Sequence, residues 1–267
     1  MKVGAFIPIR LDSERLPGKA LMKAAGKPMV HHLLDRVFAS RNIISREDVV
    51  VCTTSDNVDD ALAHAVKSYG GSIFRGDKND LIRRFKDAAD HFGFEIILQV
   101  DGDDPLADTQ YMDLTIEALM DDDSLDAATT VGLPFGINVK SFTRNALNKV
   151  FQFYRSKQND TGFALYFTKS SICQCREIAP LSNAHIMPDA RLTLDYIEDL
   201  EMFRRVLDSL YKPGELFDLT KLVTFLNSHP EIVAINSGLQ EAYAERSREK
   251  FSLQYANEAG VVQKIEL

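Results

Sequence analysis

The chain has 267 residues, with 31 Lys and Arg against 39 Asp and Glu, a formal net charge of −8. That length supports a full hydrophobic core. The acidic balance argues against a nucleic-acid partner, so a bound anion needs a local cationic pocket.

No apolar run approaches the ~20 residues of a membrane span, so no membrane partner is expected. The N-terminus lacks the apolar core and cleavage site of a signal peptide, and a cytoplasmic protein is expected. Cys52, Cys173 and Cys175 are odd in number and do not suggest a disulfide framework. The CxC pair has no second pair or nearby His, so reduced thiols are expected rather than a zinc site.

Strand and helix patterns alternate along the first half. "VGAFIPI" reads as a strand buried on both faces, and Pro28 opens a helix over "PMVHHLLDRVFAS". "DVVVCTT" is a second strand, followed by a helix over "NVDDALAHAVKSYG" that ends at Gly70 and Gly71. "SIF" is a short strand, and "NDLIRRFKDAADHFG" is a helix with Asn79 or Asp80 as its cap. "EIILQV", a helix over "TQYMDLTIEALMDD" capped by Asp108, and the strand "LDAATTV" complete this half.

In the second half, "TRNALNKVFQFYR", "YIEDLEMFRRVLDSL" and "DLTKLVTFLNSHP", capped by Asp218, read as helices. "DARLTLD" reads as a strand, and "EAYAERSREKF" as a solvated helix. His31, His32, His64, His91 and His229 sit in helical patterns and are read as structural. The alternation predicts an α/β fold with a mostly parallel sheet covered by helices on both faces. With no linker or repeat, residues 1–267 read as one domain, with dimerisation as a candidate role for its elaborated second half.

Such sheets bind ligands beyond the carboxyl ends of their strands. "RLDSERLPGK" lies at one such end. Pro17-Gly18 forces a turn there, and Gly18 lets backbone approach a ligand. Arg10, Arg15 and Lys19 suit a phosphate cradle, or a solvated loop paired with surface acids. "DGDDPLAD" lies at another end. Its clustered Asp101, Asp103, Asp104 and Asp108 repel one another unless a cation sits among them. Mg²⁺, which takes one or two carboxylates plus phosphate oxygens, suits that cluster. In "RLTLDYIEDLEMF", Asp195 reads as a helix cap or a second metal ligand. Glu198 and Asp199 in the first turn suit the helix dipole and need no further role.

Together these segments resemble the sugar cytidylyltransferases, nearest the spore-coat-polysaccharide cytidylyltransferase-like proteins. CMP-Kdo and CMP-acylneuraminate synthetases are more distant. The family opening, "IIPARxxSxRLPGKxL…GKPM", is matched by "FIPIRLDSERLPGKALMKAAGKPMV". "VVVCTTSD", "IFRGDKNDLIRRFKDAA" and "FDLTKLVTFLNSHPEIVAIN" resemble further family segments, "DGDDPLAD" resembles "GDxPLID", and "RLTLDYIEDLEMF" resembles "RxTVDxPEDL".

The resemblance implies a Rossmann-like nucleotidyltransferase fold. It implies transfer of CMP from CTP to a sugar for cell-surface polysaccharide synthesis, with Mg²⁺, by a homodimer. Arg15, Lys19 and Asp103 would be catalytic. Arg10, Ser13, Arg15, Lys19, Arg75 and Asp101 would bind CTP, with Arg75 and Asp101 near the base and ribose. Asp103 and Asp195 would hold the metal.

Two departures bear on the acceptor. Relatives read "GxDVEVF" where this chain has "GINVKSF", which puts Lys140 in place of an acid. Relatives read "REHVTPYIY" where this chain has "KQNDTGFALYF", which puts Asn159 near the place of a His. Lys140 and Asn159 are therefore expected in the sugar pocket, facing an acidic sugar such as a Kdo-like or other nonulosonate. The alternatives are a different nucleotide, a sugar-phosphate acceptor, or a non-catalytic nucleotide- or sugar-binding relative.

Overall fold

A computed structural model describes residues 1–159, 162–250, 253–257 and 259–265. The apolar β-branched runs form strands and the helical repeats form helices, in the order the pattern dictates. β1 (Val3–Pro8) is followed by a two-stranded antiparallel ribbon of β2 (Lys23–Ala24) and β3 (Lys27–Pro28), then α1 (Met29–Phe38). Next come β4 (Val49–Thr54), α2 (Asp60–Ser68), β5 (Ser72–Gly76), α3 (Leu81–Phe92), β6 (Ile96–Gln99) and α4 (Thr109–Asp121). β7 (Ala127–Thr130), β8 (Lys140–Thr143), α5 (Arg144–Phe153), α6 (Leu165–Thr168) and β9 (Cys175–Ile178) complete the sheet region. The chain then forms α7 (Ile197–Leu210), α8 (Leu219–Ser228), α9 (Pro230–Val233), α10 (Leu239–Lys250), and the antiparallel pair β10 (Gln254–Ala256) and β11 (Val262–Lys264).

The seven-stranded sheet has the order β5-β4-β1-β6-β8-β7-β9. β5, β4, β1 and β6 are mutually parallel. β8 runs antiparallel between β6 and β7, and β9 is again parallel to β7. The loop from β7 to β8, residues 131–139, is shorter than the roughly dozen residues of a parallel crossover, so the chain must reverse there.

Both faces of the sheet are covered, as the continuous apolar runs require. Val3, Ala5 and Ile7 face a core shared with α1, α4, α7 and α8, while Phe6 faces the opposite core with Phe85, Phe94 and Phe142. The expected caps are in place: Asp80, rather than Asn79, accepts from Arg83 N at 3.0 Å, Asp108 from Gln110 N at 3.0 Å and Asp218 from Lys221 N at 2.7 Å. His32 is buried against the Ala24 carbonyl at 3.0 Å, and burial lowers its pKa to about 4, so it is structural and neutral. All three cysteines are free thiols. Burial pushes Cys173 up to about 12 and Cys175 up to about 11, and no cluster of three metal-ligating side chains occurs among the described residues. Among the described residues no helix is long and apolar enough to cross a membrane.

Two expectations change. "DARLTLD" is extended but is not a strand of the sheet. It makes one bridge, Phe135 to Arg191, because its backbone partners are loops: Leu192 N donates to Phe135 O and Leu194 N to Asp103 O, both at 2.7 Å. "EAYAERSREKF" is helical through Lys250, with Phe251 outside the described residues. It is not simply solvated, because Tyr243 on one of its faces packs against Phe135 at 5.3 Å between ring centroids.

Candidate active site

β1 and β6 are adjacent and parallel, with Phe6 opposite Gln99, so the loops that follow them leave the sheet side by side. The first loop is pinned by Leu11 N donating to Asp59 Oδ1 at 2.7 Å and Gly18 N to Leu11 O at 2.9 Å. Gly18 sits at φ +73° with open space where a Cβ would stand, so the turn needs its left-handed backbone rather than its small size. Gly102 in the second loop is needed for space: a Cβ there would lie 2.2 Å from Ile9 Cγ1 and 2.5 Å from Pro8 O. The contact between Leu194 N and Asp103 O adds the 191–195 segment. These three segments, with residues of the β7–β8 loop and α10, wall a cleft of about 510 Å³.

The cations and carboxylates converge there. Lys19 Nζ lies 2.9 Å from Asp103 Oδ2 and 3.0 Å from Asp195 Oδ1. Arg15 pairs with the same Asp195 oxygen. Arg191 donates to the other oxygen of Asp195 at 3.1 Å and to Asp199 at 3.0 Å. Asp199 also accepts from the Asp195 and Tyr196 amides at 2.8 and 2.9 Å and from Asn236 at 2.8 Å. Asp199 is thus the buried anchor that fixes Asp195 at the head of α7, a role beyond the helix dipole.

Electrostatics follow from this packing. Burial would lower the Lys19 ammonium, but Asp103 and Asp195 outweigh it and hold its pKa above the ordinary value. Burial would raise Asp195, but Lys19 and Arg15 outweigh it and hold the carboxyl below the usual range. Asp103 moves up: burial lifts it, and with the neighbouring Asp195 and Asp101 it outweighs the help from Lys19. Burial beside Asp103 and Asp101 raises Asp104 further still. Two carboxylates meeting at one ammonium form an arrangement that could also hold a hard divalent cation with phosphate oxygens and water filling the other positions.

The other expected residues divide. Arg10 and Ser13 line the cleft, with Arg10 Nε 3.5 Å from Asp12. Asp101 and Lys140 line it as a pair 2.9 Å apart, and Gln99 Nε2 holds the other Asp101 oxygen at 2.8 Å. Two residues do not belong. Arg75 is absent from the cleft wall, because it lies on β5 and its guanidinium reaches Asp60 at 2.6 Å. Asn159 is fully buried rather than in the sugar pocket. Its Oδ1 accepts from Leu81 N at 2.8 Å and Ile82 N at 3.2 Å, and its Nδ2 donates to Asp80 and to Ser156 O. It caps α3, satisfying amides that have no intrahelical partner.

Sequence reasoning missed Arg191, Tyr243 and Arg246, which contribute to or line this site. Arg191 stands inside the "RLTLD" stretch already singled out, but its partner Asp199 had an adequate local role, so nothing drew the two together. The helix bearing Tyr243 and Arg246 reads as surface by composition.

The sequence matches the family profile described as cytidylyltransferase over residues 5–210. An uncharacterized protein of Methanocaldococcus jannaschii is 27% identical over 92% of this chain and 99% of its own length. The 3-deoxy-manno-octulosonate cytidylyltransferase of Serratia proteamaculans is 35% identical, but the alignment spans 65% of each chain. Among solved structures, a cytidylyltransferase from Leptospira borgpetersenii superposes with a TM-score of 0.78 at 29% identity, covering 87% of this chain and 97% of the other. A CMP:2-keto-3-deoxy-manno-octonic acid synthetase complexed with CTP shares the fold, with a TM-score of 0.60 at 19% identity over 79% of this chain and all of that one. With the profile spanning most of its length and the α/β nucleotidyltransferase sheet in place, the chain belongs to the cytidylyltransferase family.

Proposed function

We propose that this cytidylyltransferase transfers CMP from CTP to an acidic sugar, with release of pyrophosphate. The observation that carries this reading is the convergence of Arg15 and Lys19 on Asp103 and Asp195 in one cleft. A sugar oxygen attacks the α-phosphorus in line with the departing pyrophosphate. Negative charge grows on the leaving oxygens, and Lys19, Arg15 and Arg10 stabilise it without reorganising at the moment of reaction. Ser13 and Asp101 complete the nucleotide side.

Asp103 and Asp195 fit Mg²⁺ as a donor set, since that ion takes one or two carboxylates and keeps waters and phosphate oxygens. When bound there it would neutralise phosphate charge and acidify the attacking hydroxyl. Lys140 supplies the cation for an acceptor carboxylate. The relatives named for 3-deoxy-manno-octulosonate, itself an acid, support that class. A homodimer and a cytoplasmic setting belong to the same reading.

The test is pyrophosphate release from CTP and Mg²⁺ across a panel of acidic and neutral sugars and sugar phosphates. Release with one acidic sugar is expected, and Asp103→Asn is expected to lower it about 100-fold or more. Release with a neutral sugar or a sugar phosphate would replace the acceptor class. CTP binding without release from any acceptor would favour the non-catalytic alternative.

A further inference from the structure

α10 lies beyond residues 5–210, the span of the family match, yet it forms one wall of the cleft. Tyr243, Arg246 and Ser247 line it from positions three and four apart, one face of the helix. The Tyr243 ring stands 5.5 Å from the Arg15 guanidinium and 4.9 Å from that of Arg191. Tyr196 is 5.2 Å from Arg15 and 5.6 Å from Arg191, so both arginines are set among aromatic rings. About one turn along, Arg246 reaches the 10–19 loop and pairs through Nη2 with Glu14, the neighbour of Arg15 in the chain.

Among the described residues, two buried side-chain nitrogens are left without a hydrogen-bond partner: Arg15 Nε and Arg246 Nε. Both belong to arginines at the same end of the cleft. An unmade buried hydrogen bond is costly, and an anion with several oxygens would satisfy two neighbouring guanidinium groups together.

Resting on the reading of this cleft as a CTP site, we propose that Arg246 is a further substrate-binding residue. It contacts the β- and γ-phosphates that leave as pyrophosphate, and Tyr243 is a positioning residue for Arg15. The pair with Glu14 engages Nη2 and holds Arg246 over the loop, while Nε has no partner. The residue thus adds a second guanidinium at the end where Arg15 and Lys19 meet Asp103 and Asp195.

The test is calorimetric titration of the full chain with inorganic pyrophosphate and, separately, with CMP. Pyrophosphate carries the oxygens assigned to Arg246, and CMP does not. Arg246→Gln is expected to weaken pyrophosphate binding about tenfold and to leave CMP affinity unchanged. Arg246→Lys keeps the charge without the fork and should recover part of the loss. Tyr243→Leu should weaken pyrophosphate binding while Tyr243→Phe, which keeps the ring, should not, and circular-dichroism melts exclude loss of fold.

Equal pyrophosphate affinity in the wild type and Arg246→Gln overturns the proposal. So does a parallel loss of CMP affinity, which would mean that the cleft has collapsed, and so does a wild type that does not bind pyrophosphate. Failure of the wild type to turn over CTP with any acceptor bears on the proposed function instead, because pyrophosphate binding needs no acceptor.

Discussion

The two ends of the cleft are built differently. At the nucleotide end, Arg15, Lys19, Asp103, Asp195, Arg191 and Asp199 form one continuous ion network, with Asp195, Arg191 and Asp199 essentially removed from solvent. At the end proposed for the acceptor the charge is Lys140, paired with Asp101 of the nucleotide side, among Gly136, Gly162 and Phe163. Gly136 is required there: its φ is +94°, and a Cβ would stand 2.2 Å from Leu192 O. The first end is held by that buried network, which suits the proposed in-line displacement, where charges are held in place before the reaction. The second end is backbone and aromatic surface with a single cation, so in the proposed reading acceptor choice is set apart from the ion network.

The sharpest way to break this contrast is at Asp199, which touches neither cleft surface nor substrate in the proposed mechanism. Asp199→Asn should lower unfolding free energy by about 3 kcal/mol, as breaking a buried ion pair does, when followed by urea denaturation. A loss below 1 kcal/mol would mean that the network is not rigid. Asn159→Ala comes next. It should cost about 1–2 kcal/mol through the lost cap and leave the acceptor KM unchanged, whereas a change in acceptor KM at constant stability would return Asn159 to the sugar pocket. Lys140→Ala should do the reverse, raising the acceptor KM about fivefold to tenfold, more than it raises the CTP KM through its partner Asp101.

The smallest effect separates two carboxylates within the nucleotide end. The pKa of Asp195 is held below its ordinary value, so its stabilisation is present above about pH 4 and is lost as pH falls further, through the depressed folded pKa. Asp104 is raised, so its ionised form opposes folding at neutral pH, and that cost fades as pH falls through the raised pKa toward about 4. Asp104→Asn should therefore raise the melting temperature by about 2 °C at pH 7.5 in EDTA, with the gain vanishing near pH 4. A gain that persists at pH 4 would assign the effect to packing.

Much of the nucleotide end was legible in the chain. Arg15, Lys19 and Asp103 sit in the loops that follow apolar strands, and the strand-to-loop switch is local in sequence. Helix caps such as Asp80, Asp108 and Asp218 are local for the same reason. Asn159 and Arg75 were misplaced because their partners, Leu81, Ile82 and Asp60, lie 78, 77 and 15 positions away. A spacing rule sees only the residue, not which face of the fold receives it. The strand β8 was missed because Lys140–Thr143 lacks the apolar run that marks the equally short β6, and its pairing with β6 is made at long range.

By itself the sequence determined the alternating α/β order, the capped helices, the two charged loops and the family to which they belong. These rest on periodicity, turn chemistry and motifs within ten to twenty residues, where backbone preference and side-chain burial agree. Only the tertiary structure decided that the Arg191, Asp195 and Asp199 cluster meets Arg15 and Lys19, that Asn159 is a helix cap, and that α10 closes the cleft with Tyr243 and Arg246. Those outcomes depend on packing between segments as much as 232 positions apart, as Glu14 and Arg246 are. Burial and ion pairing at that range are set by how the elements stack on the sheet, and no local pattern encodes it.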